Sequence, residues 1–179
     1  AKQGKSVFGI ELKLVDENGA SLPRDGVAQG ELMVRGQWIV DRYHKAERSA
    51  LVDGWFPTGD IATINPQGVV QIRDRTKDVI KSGGEWISSV DLENALMAHP
   101  AVAEAAVIAV PDEKWSERPL ACVAFKPGQS ATPQELNAML LQKHFAKWQL
   151  PERYEVIDAV PRTSTGKFWK LKLREQFPK

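Results

Sequence analysis

The sequence predicts an α+β protein in two parts: a small β-rich unit over residues 1–73 and a compact α+β unit over 79–179, joined at 74–78 by a charged run that reads either as a plain hairpin between two strands or as a hinge between two domains. Three observations predict it. Residues 7–73 alternate apolar and polar side chains between glycine and proline turns, with little helical signal. Beyond residue 79, two capped helix starts alternate with short apolar runs. Between these regions, Asp74-Arg75-Thr76-Lys77-Asp78 places two acids, two bases and a threonine in a row. Unpaired charge costs several kcal/mol or more to bury, so this run is expected at a surface or a domain boundary.

In the first part, Phe8-Gly9-Ile10-Glu11-Leu12-Lys13-Leu14-Val15 reads as a strand, and Asn18-Gly19 as a hairpin turn. Pro23-Arg24-Asp25-Gly26 is a second turn. Gly30 to Gly36 is a short strand, which Trp38 to Tyr43 is expected to continue. Gly54-Trp55-Phe56-Pro57-Thr58-Gly59-Asp60 supports two readings. One is a pair of turns around a buried Trp-Phe pair. The other is a carboxylate, Asp60, held at a turn with both oxygens free for a diol such as a ribose. Ile61 to Asn65 and Val69 to Ile72 form a hairpin over Pro66-Gln67-Gly68.

In the second part, Val79-Ile80 begins an element that runs into Gly83-Gly84. That pair is either a simple turn or a place where backbone approaches a ligand closely. Ser88 caps a helix whose apolar face is Leu92, Ala95 and Leu96 and which ends near His99-Pro100, with His99 a helix-end residue. Val102 to Val110 reads as a central strand, Pro111 to Pro119 as a polar loop, and Leu120 to Phe125 as a strand. Thr132-Pro133-Gln134-Glu135 is a capping box with proline at the first helical position. Leu136, Met139, Leu140 and Phe145 supply that helix's buried face, and Tyr154 to Ile157 is a further strand. Arg162 to Gly166 reads as a mobile polar loop opening an amphipathic helix, with Lys167 at the junction. There its ammonium is a point charge suited to phosphate and carboxylate oxygens, or simply a solvated lysine. A nucleotide-binding P-loop is excluded, because the leading glycine of G-x-x-x-x-G-K is absent.

Composition narrows the function classes. The chain has 179 residues, 42% hydrophobic and 26% charged, with net charge +1, so no overall field argues for nucleic acid or an anionic membrane. No apolar run approaches the ~18 residues of a transmembrane segment. The lone Cys122 lies in an apolar run and is expected to be a buried thiol; a reducing, cytoplasmic setting fits it. The start at Ala1 is expected to be a cut through a longer protein.

Taken together and in order, Gly54 through Asp60, Asp74 through Asp78, Lys81-Ser82-Gly83-Gly84-Glu85-Trp86-Ile87 and Pro161 through Lys167 resemble the C-terminal third of the adenylate-forming enzymes, the acyl-CoA synthetase and luciferase superfamily. Lys81 to Ser89 and Lys147-Trp148-Gln149-Leu150-Pro151 are most similar to bacterial medium- and long-chain fatty-acid–CoA ligases. The resemblance implies that residues 1–73 end a large N-terminal adenylation domain and that 79–179 form its C-terminal lid. It implies the reaction of a fatty acid, ATP and CoA to acyl-CoA, AMP and pyrophosphate through acyl-AMP.

By motif position, Asp60, Arg75, Lys77, Lys81 and Trp86 would bind ATP or AMP, with Lys77 the hinge residue. Gly83, Gly84 and Glu85 would line the path of the adenylate and CoA. Lys167 would be catalytic in the first step. No residue here is expected to bind metal; the resemblance puts Mg²⁺ in the N-terminal domain, through which any homodimer would also form. The chain alone is therefore expected to be inactive. Two rival readings remain: a stand-alone module that binds a nucleotide or a partner, and a peptide-synthetase-type adenylation domain.

Overall fold

A computed structural model describes residues 2–178, so Ala1 and Lys179, which bound the two expected spans, lie outside the described residues. The chain divides into two compact units, Ala1–Lys77 and Asp78–Lys179.

The first unit is a four-stranded antiparallel meander in the order β1 (Ile10–Val15), β2 (Gly30–Gly36), β3 (Phe56–Ile64) and β4 (Val70–Arg75). Its turns follow from local chemistry. The Asp16 carboxylate accepts hydrogen bonds from the N–H groups of Asn18 and Ala20, both at 2.9 Å, and Gly19 takes φ 81°. The β3–β4 hairpin closes where Asn65 Oδ1 accepts from Val69 N at 2.8 Å. Leu14, Leu32, Ala62, Ile64 and Val70 form the core on one face of the sheet.

Several expectations for this unit are corrected. Phe8 and Gly9 form a turn before β1, with Phe8 fully in solvent. Trp38 to Tyr43 does not continue β2, because the chain turns at once, Ile39 N donating to Gly36 O, and Trp38 is exposed. Trp55 and Phe56 are half-buried, not core. The Trp55 ring instead meets both Lys13 and Arg35, 4.6 and 4.4 Å from its centroid, as cation–π contacts favour. β4 runs past Ile72 to include Asp74 and Arg75. Asp74 is 2% exposed, contrary to a wholly solvated run, and its Oδ1 accepts the Arg75 N–H at 2.7 Å.

The second unit contains β5 (Ile80–Ser82), β6 (Glu85–Ile87), α1 (Ser89–Met97), β7 (Val102–Asp112), β8 (Ser116–Phe125), α2 (Pro133–Gln142), a 3₁₀ turn (Lys147–Gln149), β9 (Arg153–Val156) and α3 (Lys170–Gln176). The sheet order is β6-β5-β8-β7, and β9 runs parallel to β8 beside Leu120–Val123. Both helix caps form as the sequence predicts. Ser88 Oγ accepts from Asp91 N at 3.1 Å, and Thr132 and Glu135 exchange both bonds of the capping box. Such a cap contributes about 1 kcal/mol.

Alternate residues of β7 and β8 point into two cores. Ala105, Val107, Ala121 and Val123 meet Leu92, Leu96, Leu136 and Leu140 of α1 and α2. Ala106, Ile108, Leu120 and Cys122 meet Val160 and Leu173 on the other face. A strand covered on both faces reads as continuously apolar. That is why Val102–Val110 looks central in sequence, although β7 is an edge strand among the described residues and β8 is the central one. The expected loop at 111–119 is also shorter. β7 and β8 pair out to Asp112↔Ser116, and Asp112 Oδ1 closes the hairpin by accepting from Lys114 and Trp115 N–H groups. Phe145 lies beyond the end of α2 yet packs on the same core. Lys170 anchors α3 to α1: its ammonium sits 2.6 Å from Glu93 Oε1 and donates to Ser89 Oγ, and both side chains of the ion pair are about nine-tenths buried.

Candidate functional site

The expected site residues fall into three local constellations. In the first unit, Asp60 on β3 lies directly opposite Arg75 on β4. Gly59 takes φ 73°, and its carbonyl accepts the Thr76 N–H at 2.9 Å, fixing the chain on either side of the pair. Asp60 therefore sits in a strand, not a turn, and its oxygens are not both free. Oδ1 accepts from Arg75 Nη1 at 2.8 Å, while Oδ2 bonds nothing among the described residues. The Arg75 guanidinium is more than half exposed and the carboxylate is not. An acceptor with one open oxygen and an adjacent cation can meet a hydroxyl and an anion side by side. Lys77 is exposed and is the last residue of its unit. Asp78 opens the second unit, paired with Arg174 of α3 at 2.8 Å.

The second constellation is the β5–β6 hairpin. Its two-residue turn is Gly83-Gly84, with φ 61° and 85°, the double positive φ that the tightest hairpin turns require. Gly83 N–H donates to Trp115 O at 2.9 Å, and a Cβ at 83 would lie 2.8 Å from the Trp115 ring. A side chain there would have to displace the indole and hold a left-handed φ. Lys81 is exposed, its backbone N–H bonds Glu117 Oε2 at 2.8 Å, and its ammonium lies 5.9 Å from the Trp86 ring centroid. Trp86 is half-buried and Glu85 exposed.

Beside this turn is a cavity of about 450 Å³ whose lining includes Gly83, Trp115, Arg118, Lys147, Trp148 and Glu152. Arg118 is buried and ties the walls together. It donates to Ser82 Oγ at 3.0 Å, to Trp148 O at 2.6 Å, to Leu150 O at 3.2 Å and to Glu152 Oε1 at 3.0 Å. Sequence reasoning missed Arg118 and Trp115 and gave Trp148 no role beyond its place in the Lys147–Pro151 run. The one available signal was a cation at the edge of the apolar run that starts at Leu120.

The third constellation carries Lys167. The expected mobile loop is a closed turn. Arg162 and Phe168 form a β-bridge, Thr163 N–H donates to Lys167 O at 2.8 Å, and Lys167 N–H donates back to Thr163 Oγ1 at 3.2 Å. Lys167 lies three residues before α3, not at the junction itself. Its side chain is exposed and forms no ion pair among the described residues. Elsewhere, burial pushes the Cys122 thiol up to about 12, so it carries no thiolate near neutral pH. His99 acts at a helix end, its Nδ1 accepting from Ala101 N. Among the described residues no group of His, Cys, Asp and Glu could hold a metal, and no helix is long and apolar enough to cross a membrane.

Residues 91–167 match the AMP-binding enzyme C-terminal domain family. The wider resemblance to adenylate-forming enzymes is borne out. The chain is 55% identical over 181 residues to a long-chain-fatty-acid–CoA ligase of Thermus thermophilus, covering 99% of this chain and 33% of that protein. It is 53% identical over 176 residues to a 3-methylmercaptopropionyl-CoA ligase of Ruegeria lacuscaerulensis, covering 98% and 32%. The chain thus spans about a third of the length of the curated relatives it matches. Among solved structures, ATP-bound MatB from Rhodopseudomonas palustris superimposes with a TM-score of 0.84 at 30% identity, over 98% of this chain and 35% of that one. The expected α+β class is borne out by the same likeness. A stand-alone binding module is not favoured.

Proposed function

We propose that this chain is the C-terminal part of an ATP-dependent acyl-CoA ligase acting on a fatty acid. The single observation that carries the reading is near-complete coverage of this chain, at more than half identity, by proteins named as CoA ligases. In the proposed reaction a carboxylate oxygen attacks the α-phosphorus of ATP and pyrophosphate leaves. The CoA thiol then attacks the acyl carbonyl and AMP leaves. Residues 1–73 belong to the adenylation domain, 74–78 are the hinge, and 79–179 are the lid that turns between the two steps.

Each site residue then has one task. Asp60 accepts from a ribose hydroxyl through its open oxygen, and Arg75 holds that carboxylate in place while its exposed guanidinium faces the nucleotide. Lys77 is the pivot, because the bonded residues on its two sides, Thr76 and Asp78, are each fastened within their own unit. Lys81 and Trp86 contact the nucleotide, and Gly83, Gly84 and Glu85 line the route of the adenylate and CoA. The adjoining cavity, with indoles at Trp115 and Trp148 and a cation at Lys147, suits the nucleotide end of CoA. Lys167 meets charge developing between the acyl carboxylate and the α-phosphate, where an ammonium in a water-excluded site acts most strongly. Among the described residues no group of side chains could hold a metal ion; in this reading Mg²⁺ and any homodimer contact are assigned to the rest of the N-terminal domain.

The test uses the full-length parent and measures acyl-AMP formation and thioester formation separately. Lys167→Ala is expected to slow the first about 10²–10³-fold, the usual loss on removing one such electrostatic contact. Lys77→Pro is expected to slow mainly the second. Equal loss of both steps in both variants contradicts the reading, as does acyl-CoA production by this chain alone.

A further inference from the structure

Lys167 stands on a turn whose geometry is set by a residue 63 positions earlier in the chain, Glu104 on β7. The pairing of β7 with β8 shifts register between Val102 and Glu104. Such irregularities re-aim a side chain. The Glu104 carboxylate uses both oxygens. Oε2 accepts from Val160 N–H at 2.9 Å, on the chain entering the turn, and Oε1 lies 2.5 Å from Arg162 Nη2. The same guanidinium donates through Nη1 to Gly166 O at 2.7 Å, the carbonyl immediately before Lys167. Its Cζ lies over the Phe168 ring, 4.8 Å from the centroid. Arg162 is thus a fork with one prong on β7 and the other on the peptide that leads into Lys167.

Among the described residues, this fork is the hydrogen-bonded side-chain link from the turn to the sheet. The bonds within the turn, between Thr163 and Lys167 and between Gly166 and Thr163, set its shape but not its direction. Direction comes from the Glu104–Arg162 pair and from Val160 and Phe168, which pack on the core of β7 and β8. A lysine side chain can swing through four bonds, so the place where its Cα is held decides which oxygens its ammonium can reach.

We propose that Glu104, acting through Arg162, is a positioning residue that aims Lys167 for the adenylate-forming step. This rests on the role given to Lys167 above. Glu104 itself touches neither substrate nor nucleotide. Its loss misplaces the ammonium without removing it, and a displacement of about 1 Å can cost up to 10²-fold in rate.

The test is Glu104→Gln in the full-length enzyme, with both half-reactions followed. Glutamine keeps the shape and an acceptor for Val160 N–H but loses the charge that holds Arg162. The expected result is about tenfold slower kcat for acyl-AMP formation, KM for ATP and fatty acid within about twofold, and an unchanged rate of thioester formation from supplied acyl-AMP. Arg162→Lys, which keeps the charge but cannot fork, is expected to do the same and carries the test if Glu104→Gln does not fold. In Glu104→Gln the Lys167 amide is also expected to exchange with solvent at least tenfold faster. A purely structural role would lower both half-reactions together and leave their ratio unchanged, and that outcome overturns the proposal. Lys167→Ala run alongside separates the two claims. If it forms acyl-AMP normally, the reading of Lys167 is wrong. If it does not, while Glu104→Gln and Arg162→Lys match wild type, only the role of Glu104 is wrong.

Discussion

Two tight turns of the second unit, Gly83-Gly84 and Thr163–Gly166, hold or adjoin residues assigned to the substrates, and opposite means hold them. The first is fixed by sterics and burial. Gly83 lies against the Trp115 ring, and the buried Arg118 guanidinium binds Ser82 to the Trp148 and Leu150 carbonyls behind it. The second is fixed at the surface by a charge pair, Arg162 with Glu104, in which the guanidinium is about half exposed. A turn held by packing has one position and costs much to disturb. A turn held by a half-exposed ion pair is cheap to disturb and responds to pH and salt. The comparison predicts large, solvent-insensitive effects at the first turn and small, solvent-sensitive ones at the second.

The largest effect is expected at Arg118. Arg118→Met removes the donor shared by two backbone carbonyls and a hydroxyl, none of which the methionine can satisfy. The expected cost is about 2–4 kcal/mol, from buried polar groups left unpaired. In a unit of about 100 residues that lowers Tm by about 10 °C or more. Thermal unfolding of the variant checks it; a shift of only a degree or two would mean the arginine is not what holds the turn.

Next come the glycines, which should separate although they are neighbours. Gly83→Ala meets both a left-handed φ and the Trp115 ring, for a combined cost of about 2–3 kcal/mol. Gly84→Ala meets only the left-handed φ, since nothing lies within 4 Å of its would-be Cβ, for about 1 kcal/mol. Denaturant midpoints of the two variants measure the difference. If both lose the same stability, Trp115 is not the constraint.

How much of this was legible in the sequence depended on the range of the interaction that fixed each residue. Ser88, Thr132 and Glu135 announced their helices, because a cap is a bond across three residues. Gly83-Gly84 announced a turn for the same reason. The strand pair at 102–125 was legible as apolar, yet the edge and the centre were confused, because burial on two faces and a central place in the sheet leave the same composition. Asp74 and Arg75 looked like linker because charge is a poor marker for a strand end. The partners of Arg118 lie 30 to 36 residues away on either side, and Glu104 lies 58 from Arg162. No local pattern encodes bonds of that reach. The motif around Lys167 was readable, but the pair that aims it was not.

The smallest effect is the most specific to the comparison. The Arg162 guanidinium holds the Glu104 carboxyl below the usual glutamate range, with the Val160 N–H adding to it and partial burial opposing it. A carboxylate whose pKa is lower in the folded state stabilises the fold above its unfolded value, about 4.3, and loses that contribution as pH falls through the folded value. Glu104→Gln should therefore be less stable than wild type at pH 7, by about 1 kcal/mol or less as expected for a half-exposed pair. The gap should close as pH falls from about 5 toward 3, and should shrink at pH 7 when salt is raised to 1 M. Arg118→Met should keep its deficit under high salt, since its lost bonds run largely to carbonyls and a hydroxyl inside the fold. Parallel denaturation series in pH and salt read both. A Glu104→Gln deficit that persists unchanged at pH 3 would show that shape, not charge, holds the Lys167 turn, and would erase the contrast between the two turns.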